Sequence, residues 1–294
     1  MKQEIFIDLP ERSNVPATSI YTEVHTQSGK LGQRDVLLLM PGGPGNDHTV
    51  CDYDEKSFAE SLLPYIDVIL FDPRGCGKSK ESPIAYCTLE YYIDDVDAIR
   101  QYYQISPDKS ILAGASYGAI AALGYAIKYG DVFKKLILIG GAASGEFIEE
   151  AKHNLLKYGT AAQQTMGVQI LSGTFSFTSN TVSDYYEIMG PLYSRSFIPG
   201  MPTPSIAFNT ELVNFGFRHF LKKFDYRPFL SQIKIQTLII AGALDWLTDK
   251  SQSEIMHLGI TNSQLIVYED CGHMIWIDQW DKFIQNIIDF VRED

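Results

Sequence analysis

Cysteine is scarce in this sequence. The four present, Cys51, Cys76, Cys87 and Cys271, show no C-x-x-C or metal-ligand spacing and read as reduced thiols of a cytoplasmic protein. The six histidines are scattered and no H-E-x-x-H occurs, which speaks against a zinc site, so no metal or cofactor is expected. No run approaches the ~20 apolar residues of a membrane span. The opening Met1-Lys2-Gln3-Glu4-Ile5-Phe6-Ile7-Asp8 is charged too early for a signal peptide and lacks its apolar core. A cytoplasmic location is therefore expected. Basic residues are the minority, 24 against 36 acidic, for a formal net charge of −12. That balance argues against nucleic acid and anionic membranes as partners and leaves room for a cationic small substrate. Repeats and low-complexity tracts are also lacking.

What is present is a chain of 294 residues, 45% of them apolar. This suffices for a sizeable core, in one large α/β domain with an insertion or in two modest domains. Ile5–Leu9 and Ile20–His25 suggest an antiparallel opening pair. A rhythm of short apolar runs follows: Val36–Met40, Val68–Phe71, Ser110–Ala113, Leu136–Ile139, Thr237–Ala241 and Leu265–Tyr268. Runs of this kind, apolar on both faces, are the pattern of central parallel strands. Helical patterns lie between them at Leu89–Tyr103, Ser116–Tyr129, Asp249–Leu258 and Asp278–Val291. Alternating strand and helix predicts a mostly parallel sheet covered on both sides by helices.

The rhythm stops between 144 and 228. This stretch has helical periodicity at Phe147–Tyr158, Tyr185–Met189 and Glu211–Phe224, a Pro-rich segment at Pro199–Pro204, and many aromatics. It is expected to be a helical cap inserted after the strand at 136–139, above the sheet edge where open α/β sheets bind ligands. The core is then 1–143 and 229–294.

The chemistry centres on Gly114-Ala115-Ser116-Tyr117-Gly118, between the apolar run Ile111–Ala113 and an Ala-rich helix. Glycines two before and two after a serine permit a tight strand-to-helix corner that exposes the hydroxyl. Serine needs a base to take its proton and an acid to orient that base. Asp245 follows the run Thr237–Ala241, and His273 follows Leu265–Tyr268. The order is Ser…Asp…His, and parallel strands would bring all three to one sheet edge. Asp249 and Asp270 are rivals for the acid. Oxyanion donors are expected from the N–H of Tyr117 and from Gly43 in Pro41-Gly42-Gly43-Pro44-Gly45. The run Asp72-Pro73-Arg74-Gly75-Cys76-Gly77-Lys78-Ser79 lacks the spacing of a phosphate-binding loop. An Asp–Arg pair steadying that loop is expected instead.

These motifs resemble those of α/β-hydrolases, and among them the proline iminopeptidase group of serine peptidases. The resemblance rests on Pro41–Gly45, Asp72–Ser79, Gly114–Gly118 and Gly272-His273. Pro41 stands where the group usually has histidine, Pro73 where glutamine is frequent, and Tyr117 where tryptophan is common. The resemblance implies an acyl-enzyme and an aminopeptidase acting on short peptides, preferably at N-terminal proline. An esterase, lactonase or other small-molecule hydrolase is the alternative, and a catalytically silent binding scaffold a further one. An aminopeptidase must hold a cationic amine, which calls for carboxylates facing the serine. Glu146, Glu187 and Glu211 are the candidates. Glu211 is preferred because it lies among Phe208, Phe215 and Phe217, which would hold a proline ring or another apolar side chain.

Overall fold

The computed structural model describes residues 1–12, 15–130, 132–178, 181–198 and 208–293. Eight strands form its sheet: β1 (Lys2–Leu9), β2 (Thr18–His25), β3 (Val36–Met40), β4 (Asp67–Phe71), β5 (Ser110–Ala115), β6 (Lys135–Ile139), β7 (Gln236–Gly242) and β8 (Ser263–Tyr268). Their spatial order is β1-β2-β4-β3-β5-β6-β7-β8. β1 pairs antiparallel with β2, and β2 with β4, while every later pairing is parallel.

The central strands lack a polar side because both faces are covered. Along β3, Val36, Leu38 and Met40 enter one core, and Leu37 and Leu39 enter the other. β6 divides the same way, with Leu136 and Leu138 opposite Ile137 and Ile139. A period of two with apolar residues in both phases reads as a continuous run.

The helices are α1 (Phe58–Leu62), α2 (Leu89–Tyr103), α3 (Tyr117–Tyr129), α4 (Phe147–Tyr158), α5 (Ala161–Ser172), α6 (Thr181–Tyr193), α7 (Thr210–His219), α8 (Lys250–Gly259), α9 (Ile275–Asp278) and α10 (Trp280–Arg292). α2, α3 and α8 pack on one face of the sheet, and α1, α9 and α10 on the other. α10 buries Trp280, Phe283, Ile284, Ile287, Ile288 and Val291, a helical stripe of large apolar groups. Each such group stabilises the fold by roughly 1.5–3 kcal/mol relative to exposure. No helix among the described residues is long and apolar enough to cross a membrane.

Between β6 and β7 the chain leaves the sheet through α4–α7. Their periodicity was only partly legible. α6 is longer than Tyr185–Met189, α7 ends at His219 rather than at Phe224, and α5 carries no expected counterpart. Pro199–Pro204 lies outside the described residues. The two ends of this insertion are tied together. Gly145 N–H donates to Phe224 O at 2.8 Å and Tyr226 N–H to Ala143 O at 2.9 Å. At the surface, Arg227 grips the Glu146 carboxylate through Nη1 (2.6 Å) and Nη2 (2.9 Å), and Asp225 through Nε (2.9 Å).

Three consequences place the site. β3 and β5 are adjacent in register, Met40 opposite Gly114. The chain order reverses there, since β4 lies on one side of β3 and β5 on the other. The carboxyl ends of β3, β5, β7 and β8 all point to the same edge.

Candidate active site

Ser116 sits on the corner between β5 and α3 with φ 55° and ψ −119°. A non-glycine residue with positive φ is strained, and the surroundings hold it there. Its N–H donates to Ile139 O at 2.7 Å, and its carbonyl accepts the N–H groups of Ala119 and Ile120. The flanking glycines are steric necessities. A Cβ on Gly114 would strike the Gly118 carbonyl, and one on Gly118 would strike the carbonyls of Met40 and Pro41. α3 therefore starts against the backbone of β5 and of the loop after β3, which leaves the serine hydroxyl pointing outward.

His273 Nε2 lies 2.9 Å from Ser116 Oγ, and its Nδ1 lies 2.7 Å from Asp245 Oδ2. An ionised carboxylate only accepts, so Nδ1 carries the proton and Nε2 presents a lone pair to the hydroxyl. Asp245 and His273 are both buried. Asp245 is fixed by Leu247 N–H at 2.8 Å and Thr248 N–H at 3.0 Å, both donating to Oδ1. His273 is fixed by its neighbours: Met274 N–H donates to Tyr193 O at 2.8 Å, and the Tyr193 ring meets the imidazole edge-on at 5.6 Å. The rival acids lie elsewhere. Asp249 caps α8 and accepts from Asn154, and Asp270 is an exposed partner of Arg195. Cys271 is fully buried, and burial pushes its thiol up, which removes it as a competing nucleophile.

Sequence reasoning missed Thr248. Its hydroxyl lies 2.8 Å from Gly140 O, 2.9 Å from Asp245 Oδ2 and 3.2 Å from His273 Nδ1. The available signal was a threonine three residues after the acid.

The loop after β3 packs directly on the corner. A Cβ on Gly42 would come within 3.0 Å of Ala115 O and 3.2 Å of Ser116 Cβ, so a side chain there would force its neighbours to shift by a few tenths of an ångström. Gly43 has φ 123°, a conformation open to glycine. Tyr92 Oη donates to Pro41 O at 3.0 Å and stacks on Tyr117 at 5.4 Å, anchoring the loop to α2. Tyr117 N–H belongs to the first turn of α3, whose amides have no intrahelical acceptor.

The expected Asp72–Arg74 pair does not form. Asp72 takes the His48 ring (Nδ1, 2.6 Å), the His48 N–H (2.8 Å) and the Lys78 N–H (2.7 Å). Arg74 turns away to a bidentate bond with Asp95 on α2, at 2.8 and 2.9 Å. His48 also lies 3.5 Å from Glu23. Burial opposes its charge, but Asp72 and Glu23 outweigh that and raise its pKa to about 9.

A cleft opens above Ser116 and His273. Its walls are aromatic: Phe177, Tyr185, Tyr186, Tyr193, Phe208 and Phe217 come from the insertion, and Trp276 from α9. Tyr185 and Tyr193 share a 2.7 Å hydrogen bond. Burial pushes the phenol of Tyr186 up to about 12 and those of Tyr185 and Tyr193 upward too, so all three stay neutral. Asn209 joins the insertion to the sheet edge. Its N–H donates to Gly45 O at 2.8 Å, its Nδ2 to Gly75 O at 2.7 Å, and its Oδ1 caps α7. Phe208 therefore lies where the cleft was expected. The expected carboxylates do not. Glu146 is held at the surface by Arg227, Glu211 is exposed on the first turn of α7, and Glu187 is exposed on α6. None of the three lines the cleft.

The family described as alpha/beta hydrolase fold matches residues 35–279. The chain belongs to that family. As an α/β-hydrolase it is 27% identical over 280 residues to a proline iminopeptidase of Thermoplasma volcanium, covering 88% of this chain and 89% of that protein. An alpha/beta fold family hydrolase of Bacillus anthracis superposes with a TM-score of 0.77 at 20% identity, over 98% of this chain and 99% of that one. A proline iminopeptidase of Mycobacterium smegmatis gives 0.72 at 17%, over 98% and 97%. An esterase of Exiguobacterium antarcticum gives 0.67 at 20%, over 99% and 100%. At these identities the solved structures carry the fold alone. Among the described residues of this α/β-hydrolase, no group of His, Cys, Asp and Glu is arranged to hold a metal ion.

Proposed function

We propose that the chain is a serine hydrolase working through an acyl-enzyme, and that it acts as an aminopeptidase releasing N-terminal proline or another small apolar residue from short peptides. One observation carries the chemistry: the Ser116–His273–Asp245 chain, with separations of 2.9 and 2.7 Å, at a strained corner. Ser116 Oγ attacks the carbonyl carbon while His273 Nε2 takes its proton, and Asp245 stabilises the imidazolium that results. The tetrahedral oxyanion is received by the N–H groups of Gly43 and Tyr117. His273 then returns the proton to the leaving amine, which departs and leaves an ester on Ser116. Water, deprotonated by His273, cleaves that ester, and His273 passes the proton to Ser116 Oγ as it leaves.

The aminopeptidase part of the reading is supported by the relatives named proline iminopeptidase and by an aromatic cleft suited to a proline ring. In this reading α4–α7 act as the cap that sets specificity. A second reading, a carboxylesterase or lactonase, is favoured by the same apolar walls, which suit a neutral acyl chain equally well.

The test compares prolyl and other aminoacyl arylamides with short p-nitrophenyl esters. Ser116→Ala should lower kcat about a millionfold on whichever class is turned over. Turnover of esters alone would sink the aminopeptidase reading, and turnover that survives Ser116→Ala would sink the mechanism.

A further inference from the structure

The cleft carries one acidic side chain among its described lining residues, and it comes from the sheet side rather than from the insertion. Asp52 lies at the end of the 3-10 turn His48–Cys51, in the segment that follows the Gly42–Asn46 loop. No lysine or arginine accompanies it among those lining residues. Among the described lining residues the cleft is therefore an apolar box with one carboxylate and no lysine or arginine.

Asp52 is also held for use. Its N–H donates to Thr49 O at 2.8 Å, and one carboxylate oxygen accepts the Phe58 N–H, the first of α1, at 2.8 Å. The other oxygen has no hydrogen-bond partner among the described residues. Lys2, His25 and His48 favour its charge through space and Glu23 opposes it, but none of them shares a hydrogen bond with it. Burial raises its pKa, which marks a carboxylate whose lost hydration has not been fully replaced. An ammonium group entering the cleft supplies what is missing, a charge-assisted partner in a partly dry site.

We infer that Asp52 is the anchor for the substrate's cationic amine, the role that neither Glu146, Glu187 nor Glu211 is placed to fill. The inference rests on the aminopeptidase reading and names the group that would make the cleft select aminoacyl compounds over neutral esters. In the same geometry the aromatic side chains take the apolar part of the residue. The anchor then adds binding and orientation without touching the reacting atoms.

The experiment measures kcat and KM for prolyl p-nitroanilide, its N-acetyl derivative and p-nitrophenyl butyrate. The proteins are the wild type, Asp52→Asn and Asp52→Ala. Asparagine keeps the oxygen that accepts from Phe58, so Asp52→Asn preserves the turn. Expected is a ten- to hundredfold rise in KM for the free-amine substrate, the size of one charged hydrogen bond, with kcat within about threefold. Butyrate ester turnover should stay within about twofold, which also reports an intact site. Wild-type preference for the free amine over its acetylated form should collapse in Asp52→Asn. An unchanged KM, or equal losses on amine and ester, would overturn the anchor alone. A wild type that turns over esters but no aminoacyl compound would overturn the anchor together with the aminopeptidase reading.

Discussion

The Thr248 hydroxyl lies 2.9 Å from Asp245 Oδ2, the same oxygen that faces His273 Nδ1. A side chain that shares this oxygen with the imidazole controls how the carboxylate is aimed. Thr248→Val keeps the shape and removes the hydroxyl, whose one proton faces both Gly140 O and Asp245 Oδ2. We expect kcat to fall about tenfold with KM nearly unchanged, and Thr248→Ser to recover most of the loss. Steady-state kinetics on the best substrate decides this; a change confined to KM would refute it.

The corner at Ser116 tolerates no side chain on its second glycine. Gly118→Ala pushes a methyl group into the Met40 and Pro41 carbonyls, which are backbone and cannot swing aside. A destabilisation of about 3 kcal/mol or more is expected, read as a lowered urea midpoint. A stability loss under 1 kcal/mol would mean the corner is looser than described.

Asn209 alone makes three contacts, and Asn209→Ala loses two of them, a helix cap and one tie. Its own N–H bond to Gly45 survives the substitution, whereas the Nδ2 bond to Gly75 and the cap on Leu212 do not. A loss of about 1–2 kcal/mol in thermal or urea unfolding is expected. KM should rise while the Ser116–His273 pair is untouched, so a larger effect on kcat than on KM would argue against it.

His48 gives the fold a pH limit on the alkaline side. Its pKa rises from an ordinary 6.5 to about 9, because Asp72 and Glu23 outweigh burial. The folded state binds this proton more tightly than the unfolded chain does. The extra stability is complete below about pH 6.5 and is lost as pH rises through about 9, on the order of 1–3 kcal/mol. The difference in urea stability between wild type and His48→Gln should therefore shrink between pH 6.5 and 9.5. A difference that stays constant over that range would exclude the charged imidazole as its source.

The sheet was legible because its strands are buried on both faces, so that Val36–Met40 and Leu136–Ile139 stand out as unbroken apolar runs. Ser116, Asp245 and His273 could be named because each lies within five residues past the end of a strand run. Where side-chain direction decides, sequence reasoning failed. Asp72 and Arg74 are two residues apart, yet one turns to His48 and the other to Asp95. Glu146 was claimed by Arg227, which lies 81 positions away and is adjacent only after folding. α5 left little periodicity because it buries Gln163 and Gly167 alongside Ile170 and Leu171; its surviving mark was the Thr160–Gln163 capping box. Asp52 and Thr248 gave no motif. Their significance depends on which cavity or carboxylate they face.

The bonds that join Gly145 to Phe224, Tyr226 to Ala143 and Arg227 to Glu146 close the insertion at its base. The chain departs from β6 and rejoins the path to β7 at nearly one point. What lies between is, for the sheet, an exchangeable part. Away from Tyr193, which steadies the His273 loop, its length and sequence can drift without moving the strand ends beneath. On the proposed function, a fold built this way can change its diet by altering its upper storey while the strand ends beneath stay as they are.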